Sequence, residues 1–191
     1  GFFPVKWLDT YYQNNGRLAG HMTSHGVPGV EASTGSLGHG LSMGCGMALA
    51  AKRDNKNYRA FVLMSDGELD EGSCWEPILF APHHKLDNLV AIVDYNKIQS
   101  FGRTKEVLDL EPLAAKWNSF GWAVKEIDGH NVNEIEKALK AIPFRKQKPS
   151  CIIAHTVKGK GVSFIEDTLD SHYKNLTDEQ LKQALKEVST T

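Results

Sequence analysis

Three short, predominantly apolar stretches constrain the fold more than anything else in the sequence: Arg59-Ala-Phe-Val-Leu-Met64, Leu89-Val-Ala-Ile-Val93 and Ser150-Cys-Ile-Ile-Ala154. Side chains alternate between the two faces of an extended segment, so an unbroken apolar run reads as a strand buried on both faces. Such strands belong to parallel sheets, whose crossover connections lay helices over each face. The intervening sequence supplies those helices: helical patterns span Leu37–Asp54, Asp70–Lys85, Glu111–Phe120 and Val132–Ile142, and a further strand reads from Trp122 to Ile127. This alternation predicts an α/β fold, an open, mainly parallel sheet with helices on both faces. The 191 residues suit a single domain over 1–191, and no repeat or linker divides them.

The remaining segments are less regular. Val5–Asn14 reads as a short helix and Gly16–Gly35 as a loop, after which Thr34 or Ser36 is placed to cap the helix from Leu37. That helix is rich in Gly, Ala and Met, small or pliant residues that permit close packing. Residues 157–176 carry no period but contain Lys158-Gly-Lys-Gly161 and His172, and an aperiodic loop of that length is usually functional or disordered. Thr177-Asp-Glu-Gln180 then matches a capping box and opens a polar C-terminal helix.

Composition narrows the partners. With 22 Lys and Arg against 23 Asp and Glu the net charge is −1, so the chain has no field with which to hold a polyanion. No nucleic acid and no membrane are expected, and a small molecule or another protein is. Cys45, Cys74 and Cys151 form no Cys-x-x-Cys pair and sit among apolar or small residues, which reads as free buried thiols of a reducing compartment. No apolar run approaches the roughly 18 residues of a membrane span and no signal segment opens the chain, so the expected location is cytoplasmic. The opening Gly1-Phe2-Phe3-Pro4 lacks Met and carries two aromatics, and reads as a start trimmed from within a folded unit.

Ligands of open parallel sheets bind beyond the carboxyl ends of the strands. There the sequence places Ser65-Asp66-Gly67-Glu68-Leu69-Asp70-Glu71-Gly72 and Asp94-Tyr95-Asn96-Lys97-Ile98. If the two strands are neighbours, Asp66 and Asn96 converge. A carboxylate and an amide oxygen, helped by a backbone carbonyl, make a hard-oxygen site suited to Mg²⁺ or Ca²⁺. Mg²⁺ takes few protein ligands and fills its octahedron with water and phosphate oxygens, which points to a phosphorylated ligand. The turn Thr34-Gly35-Ser36-Leu37-Gly38-His39-Gly40, entering a helix, offers close backbone approach and exposed N–H donors. Each feature has a plainer reading: Asp-Gly and Asn are common turn formers, and a Gly-rich helix start is often packing.

Taken together these residues resemble a known family. The run from Ser65 through Asp66-Gly67 to Glu71-Gly72, followed by a helix, an apolar strand and Asp94-Tyr-Asn96, resembles the thiamine diphosphate motif, which usually begins Gly-Asp-Gly. Pro28-Gly-Val-Glu-Ala-Ser-Thr-Gly-Ser-Leu-Gly-His-Gly40 and Thr156-Val-Lys-Gly-Lys-Gly-Val-Ser-Phe164 narrow the resemblance to the N-terminal, diphosphate-binding domain of transketolases, over essentially the whole chain.

The resemblance implies that Asp66, the Asn96 side chain and the backbone carbonyl of Ile98 ligate Mg²⁺, and that the main chain at Gly67 approaches the diphosphate. Gly35 would touch the aminopyrimidine and Leu37 pack near the thiazolium. His21 would face sugar and cofactor, His172 would reach the diphosphate or the reacting end, and Glu71 and Glu76 would lie at a subunit contact. The plainer readings stand beside these: Leu37 as core, Glu71 as a helix-start charge, Lys158 and Lys160 as solvated loop charges or phosphate attractors, and the other histidines as surface or satisfied polar groups, with His25 near enough to His21 to exchange roles. Ser65 departs from the family's first Gly. The pyrimidine-binding domain, which supplies an activating glutamate in the family, does not fit in 191 residues, and the family's opening segment would lie before Gly1. The expectation is therefore the N-terminal subunit of a split transketolase. It would move a two-carbon ketol unit from a ketose phosphate to an aldose phosphate with a pyrimidine-domain C-terminal partner chain, in an α2β2 assembly. The alternatives are another thiamine diphosphate enzyme, of deoxyxylulose-phosphate synthase or 2-oxoacid dehydrogenase type, and a non-catalytic cofactor-binding regulator.

Overall fold

The computed structural model describes residues 1–189. In chain order its regular elements are α1 (Gly40–Arg53), β1 (Ala60–Ser65), α2 (Gly72–His83), β2 (Leu89–Tyr95), the two-residue strands β3 (Ile98–Gln99) and β4 (Gly102–Arg103), α3 (Thr104–Val107), α4 (Leu113–Ser119), β5 (Ala123–Asp128), α5 (Val132–Lys140), β6 (Ser150–His155) and α6 (Asp178–Val188). The main sheet has four strands in the order β1-β2-β6-β5, and every neighbouring pair is parallel. The α/β sheet expected from the apolar runs is the one observed, except that β1, at the sheet edge, is not buried on both faces: Phe61 is 48% and Leu63 73% exposed.

Helices cover both faces. On one, Leu41, Cys45 and Ala48 of α1, Cys74, Ile78 and Ala81 of α2, and Leu113 and Trp117 of α4 pack on Met64, Ala91, Val93, Cys151 and Ile153. On the other, Ala138 of α5 packs with Val90 and Ile152, joined by Ile92 and Ile127. Both sides of β2 and β6 are thereby buried, the physical reason their sequences show no polar alternation. Gly44 shows why α1 is built of small residues, because a Cβ there would run into the Val62 side chain. The three cysteines are free and buried, and burial pushes the Cys45 and Cys74 thiols up to about 12.

A buried indole repairs α2. Pro82 has no N–H to give the carbonyl of Ile78 one turn earlier, and Trp122 Nε1 donates to that carbonyl at 2.8 Å instead. The ring of Trp122 also meets Trp117 edge to face, with centroids 4.7 Å apart.

The structure corrects several boundaries. Val5–Asn14 is a 3₁₀ turn over Val5–Thr10 only, followed by Tyr12 and Asn15 at positive φ. Neither Thr34 nor Ser36 caps α1: the helix begins at Gly40, behind Gly35 and Gly38 at positive φ, and the capping position is His39, without a side-chain bond. The helix expected from Asp70 divides into a 3₁₀ turn, Gly67–Asp70, and α2 from Gly72. The β3–β4 hairpin and α3 have no counterpart in the sequence reading. Within residues 157–176 a 3₁₀ turn spans Leu169–His172, and the capping box of Thr177 and Gln180 is formed. Among the described residues no helix is long and apolar enough to cross a membrane.

Candidate functional site

The register of β1 on β2 sets Ser65 opposite Asp94, which brings the two strand ends together. Asp66 follows directly and is only 1% exposed. Its Oδ1 accepts from the Gly67 N–H at 2.7 Å and its Oδ2 from the Lys97 N–H at 2.5 Å, so one carboxylate ties the turn after β1 to the turn after β2. Burial pushes the Asp66 carboxyl up to about 6, aided by the charge of Asp94 and opposed by the two N–H groups and Lys158.

Asn96 stands in the second turn, where Lys97 takes φ 68. Its Oδ1 accepts from the Ile98 N–H at 3.0 Å and its Nδ2 donates to Asp94 Oδ1 at 3.4 Å. Asp94 in turn accepts from the Thr156 hydroxyl, just past β6. Asp66, Asn96 and Ile98 are therefore gathered in one place, as the strand-end argument expects.

This donor set fits a hard cation. Asp66 is a buried carboxylate held by backbone N–H groups and, among the described residues, bonded to no cationic side chain, an arrangement that burial disfavours and a bound cation would relieve. Two of the three candidate ligands are an amide and a carbonyl oxygen. Among the described residues, accordingly, no three His, Cys, Asp or Glu side chains gather as a metal cluster.

The other candidates surround this point. Gly67 has a packing reason to be glycine, since a Cβ would come 2.9 Å from Gln99 Cβ. Gly35 has φ 122, and a Cβ on it would collide with the His21 ring, so these two candidates lie against each other. Leu37 is 52% exposed, which sets aside its reading as core. The Gly38 N–H donates to Glu68 Oε1 at 3.0 Å, and the Glu68 N–H donates to Ser65 Oγ at 3.1 Å, coupling the Gly-rich turn to the Asp66 turn. Ser65 thus serves as an acceptor within the turn. Glu71 sits beside Gly38 at the start of α2, with its side chain exposed and making no capping bond. Glu76 is exposed on the outer face of α2, where it lines a cleft of about 320 Å³ with Cys45 and Leu49 of α1.

Lys158 and Lys160 part company. Lys160 binds Glu166 at 2.8 Å, whereas Lys158 lines a cavity with Asp94 and Asn96 and its charge acts on both Asp66 and His172. His172 is held below the usual histidine range, first by partial burial and then by Lys158. A cavity of about 440 Å³ opens here, lined by Asp94, Asn96, His130, Thr156 and Val157–Lys160. A larger one, about 600 Å³, lies beside β1 and Met22, away from these strand ends. Of the other histidines, His130 Nε2 accepts from the Val157 N–H at 2.7 Å and His155 meets Glu126 at 2.8 Å, so both are satisfied polar groups; His25 is exposed.

Four contributors have no role in the sequence reading. Glu68 links two turns, Asp94 holds Asn96, Thr156 holds Asp94, and Arg103 grips the Asp167 carboxylate through two N···O contacts of 2.6 and 3.0 Å. The spacing of Asp94 and Asn96, two residues apart in extended backbone and hence on one side, is the signal that could have found Asp94.

The family model described as transketolase, thiamine diphosphate binding domain, matches residues 3–190. One of the subunits of the apulose-4-phosphate transketolase of Phocaeicola vulgatus is 45% identical over 189 residues, covering 99% of this chain and 67% of that protein. The 6-deoxy-6-sulfo-D-fructose transketolase subunit SqwG of a Clostridium species is 44% identical, covering 98% of this chain and 68% of that protein. Among solved structures, transketolase from Campylobacter jejuni superposes with a TM-score of 0.90 at 32% identity, over 96% of this chain and 30% of that one. The chain thus spans about two thirds of these curated subunits and under a third of that transketolase chain.

Proposed function

The chain belongs to the transketolase family, within its thiamine diphosphate binding domain, and from that premise we propose that it is the N-terminal subunit of a two-chain transketolase. The observation that carries the reading is the buried Asp66 carboxylate joined to the Asn96 turn at adjacent strand ends. In this reading Asp66, the Asn96 amide oxygen and the Ile98 carbonyl hold Mg²⁺, while Gly67 and Lys158 stand nearest the diphosphate. When bound, thiamine diphosphate supplies the carbon that takes up the two-carbon ketol unit and hands it on.

The remaining work falls to the chain's own side chains. Gly35 leaves room at the main chain for the aminopyrimidine, and exposed Leu37 offers an apolar surface to the thiazolium ring. His21 and His172 face the sugar. The lowered proton affinity of His172 keeps it neutral near pH 7, able to accept a proton from a sugar hydroxyl. Glu71 and Glu76, exposed on the α1–α2 side, belong to a contact between copies of the chain in an α2β2 assembly. The relatives are named for a sugar phosphate and a sulfonated sugar, which supports anionic ketoses and aldoses as substrates. The activating glutamate comes from a pyrimidine-domain partner. A cytoplasmic setting suits free buried thiols and sugar phosphates.

The test is reconstitution. The chain and a pyrimidine-domain partner, purified separately and mixed with thiamine diphosphate, Mg²⁺, a ketose phosphate and an aldose phosphate, are expected to transfer ketol only together. Full transfer by the isolated chain, or carbon dioxide release from pyruvate in place of transfer, would reject this division of labour.

A further inference from the structure

Resting on the Mg²⁺ reading of the Asp66–Asn96 turn, we infer that Asp94 and Thr156 form a positioning relay that fixes which end of the Asn96 amide faces the cation. An asparagine amide has an acceptor at one end and donors at the other, and only the oxygen can ligate a metal. Its orientation is decided by its hydrogen bonds. Here two neighbours decide it: the Ile98 N–H can only donate, so it selects Oδ1 at 3.0 Å, and the Asp94 carboxylate can only accept, so it selects Nδ2 at 3.4 Å. Reversing the amide would set N–H against N–H and oxygen against carboxylate. With one lone pair of Oδ1 engaged by Ile98, the other remains for a cation.

Asp94 needs its own anchor if its carboxylate is to hold the Asn96 amide in place. The Thr156 hydroxyl provides one. It donates to the same Oδ1 that receives Asn96, and the register of Tyr95 on His155 sets Thr156 level with Asn96 across the β2–β6 pair. Three adjacent strand ends therefore converge on one function: β1 leads to Asp66, β2 carries Asp94 and leads to Asn96, and β6 leads to Thr156. Neither Asp94 nor Thr156 needs to touch the metal for this, and loss of such an outer partner typically weakens metal affinity about 10- to 100-fold.

The experiment is a calorimetric titration of thiamine diphosphate at fixed Mg²⁺ into the full-length chain with its partner chain present, and of Mg²⁺ at fixed cofactor, with circular dichroism as a check on folding. Asp94→Asn and Thr156→Val are each expected to weaken the Mg²⁺-dependent affinity about tenfold or more. Asn96→Asp in the Asp94→Asn background is expected to recover most of the loss, since a carboxylate presents an oxygen whichever way it turns. A loss in Asp94→Asn with none in Thr156→Val would reduce Asp94 to a bystander charge and overturn the relay. Failure of the double variant to recover, with folding intact, would assign Asp94 a different task and overturn it equally. Full affinity in both single variants overturns the relay while leaving the cation reading standing; a wild-type chain that binds cofactor equally with and without Mg²⁺ overturns both.

Discussion

The pH dependence of the metal-free fold offers a direct test of the site's electrostatics. Asp66 is pushed from the ordinary 3.8 up to about 6, chiefly by burial. A carboxyl raised in this way stabilises the fold when protonated and loses that contribution as pH rises through 6. Against the unfolded chain, its charged form at pH 7.5 carries a penalty of about 3 kcal/mol, and at pH 5 about half of that remains. Without metal the protein is therefore expected to be about 1.5 kcal/mol more stable at pH 5 than at pH 7.5 on this account. For a chain of this size that is a melting point higher by about 3–4 °C. Other groups titrate in the same window, His172 with opposite sign because its proton affinity is lowered on folding. The measurement is consequently a difference: thermal unfolding in EDTA at both pH values, wild type against Asp66→Asn. The variant leaves one of the two backbone donors without an acceptor, a cost independent of pH, and should lack the Asp66 contribution to the slope. Mg²⁺ with thiamine diphosphate should cancel the Asp66 part of the wild-type trend. With a carboxyl near 6 only about a tenth is ionised at pH 5, so Mg²⁺ should bind about tenfold more weakly there than at pH 7.5. Equal slopes for wild type and variant, or equal stabilisation by Mg²⁺ at both pH values, would refute the reasoning.

Three further perturbations separate the site from its scaffold. Gly35→Ala should lower cofactor affinity at least tenfold and the stability by about 1 kcal/mol or more, because φ 122 and the His21 ring both exclude a Cβ; a titration indistinguishable from wild type would contradict this. Trp122→Phe should cost about 1–3 kcal/mol in urea unfolding, by leaving the Ile78 carbonyl buried without a donor, while cofactor binding stays unchanged. Arg103→Ala breaks an exposed pair and should barely move the melting point, yet it frees the segment that carries Lys158 and His172 and should raise KM for the sugar more than it lowers kcat.

What is legible in the sequence follows from which physical constraints leave a local mark. Burial on both faces of β2 and β6 forces an apolar run, so strands and sheet class can be read directly. The β3–β4 hairpin leaves no such mark, because two residues per strand are too few for any period and Phe101 at its tip is 83% exposed. The start of α1 misleads for another reason. Thr34 and Ser36 have capping side chains, but Gly35 and Gly38 at positive φ turn the chain between them and the helix, and the backbone geometry prevails over the side-chain preference.

The site divides along the same line. Asp66 and Asn96 are visible because a rule about strand ends points to them without knowledge of contacts, and register then proves them adjacent. Asp94 is hidden because the apolar run stops at Val93, so the residue after it looks like loop, whereas the ladder continues to Tyr95. The continuation has a cause on the opposite side of the strand. Tyr95 is 4% exposed and its hydroxyl donates to Glu111 at 2.6 Å, so a polar-looking tail is drawn into the core face and stays extended. That extension sets Asp94 and Asn96 two residues apart on the side away from Tyr95, with Asn96 level with Thr156. The packing of one tyrosine thus prepares the orientation of the amide proposed as a cation ligand, a coupling between core and site that becomes evident only when the strand is seen paired.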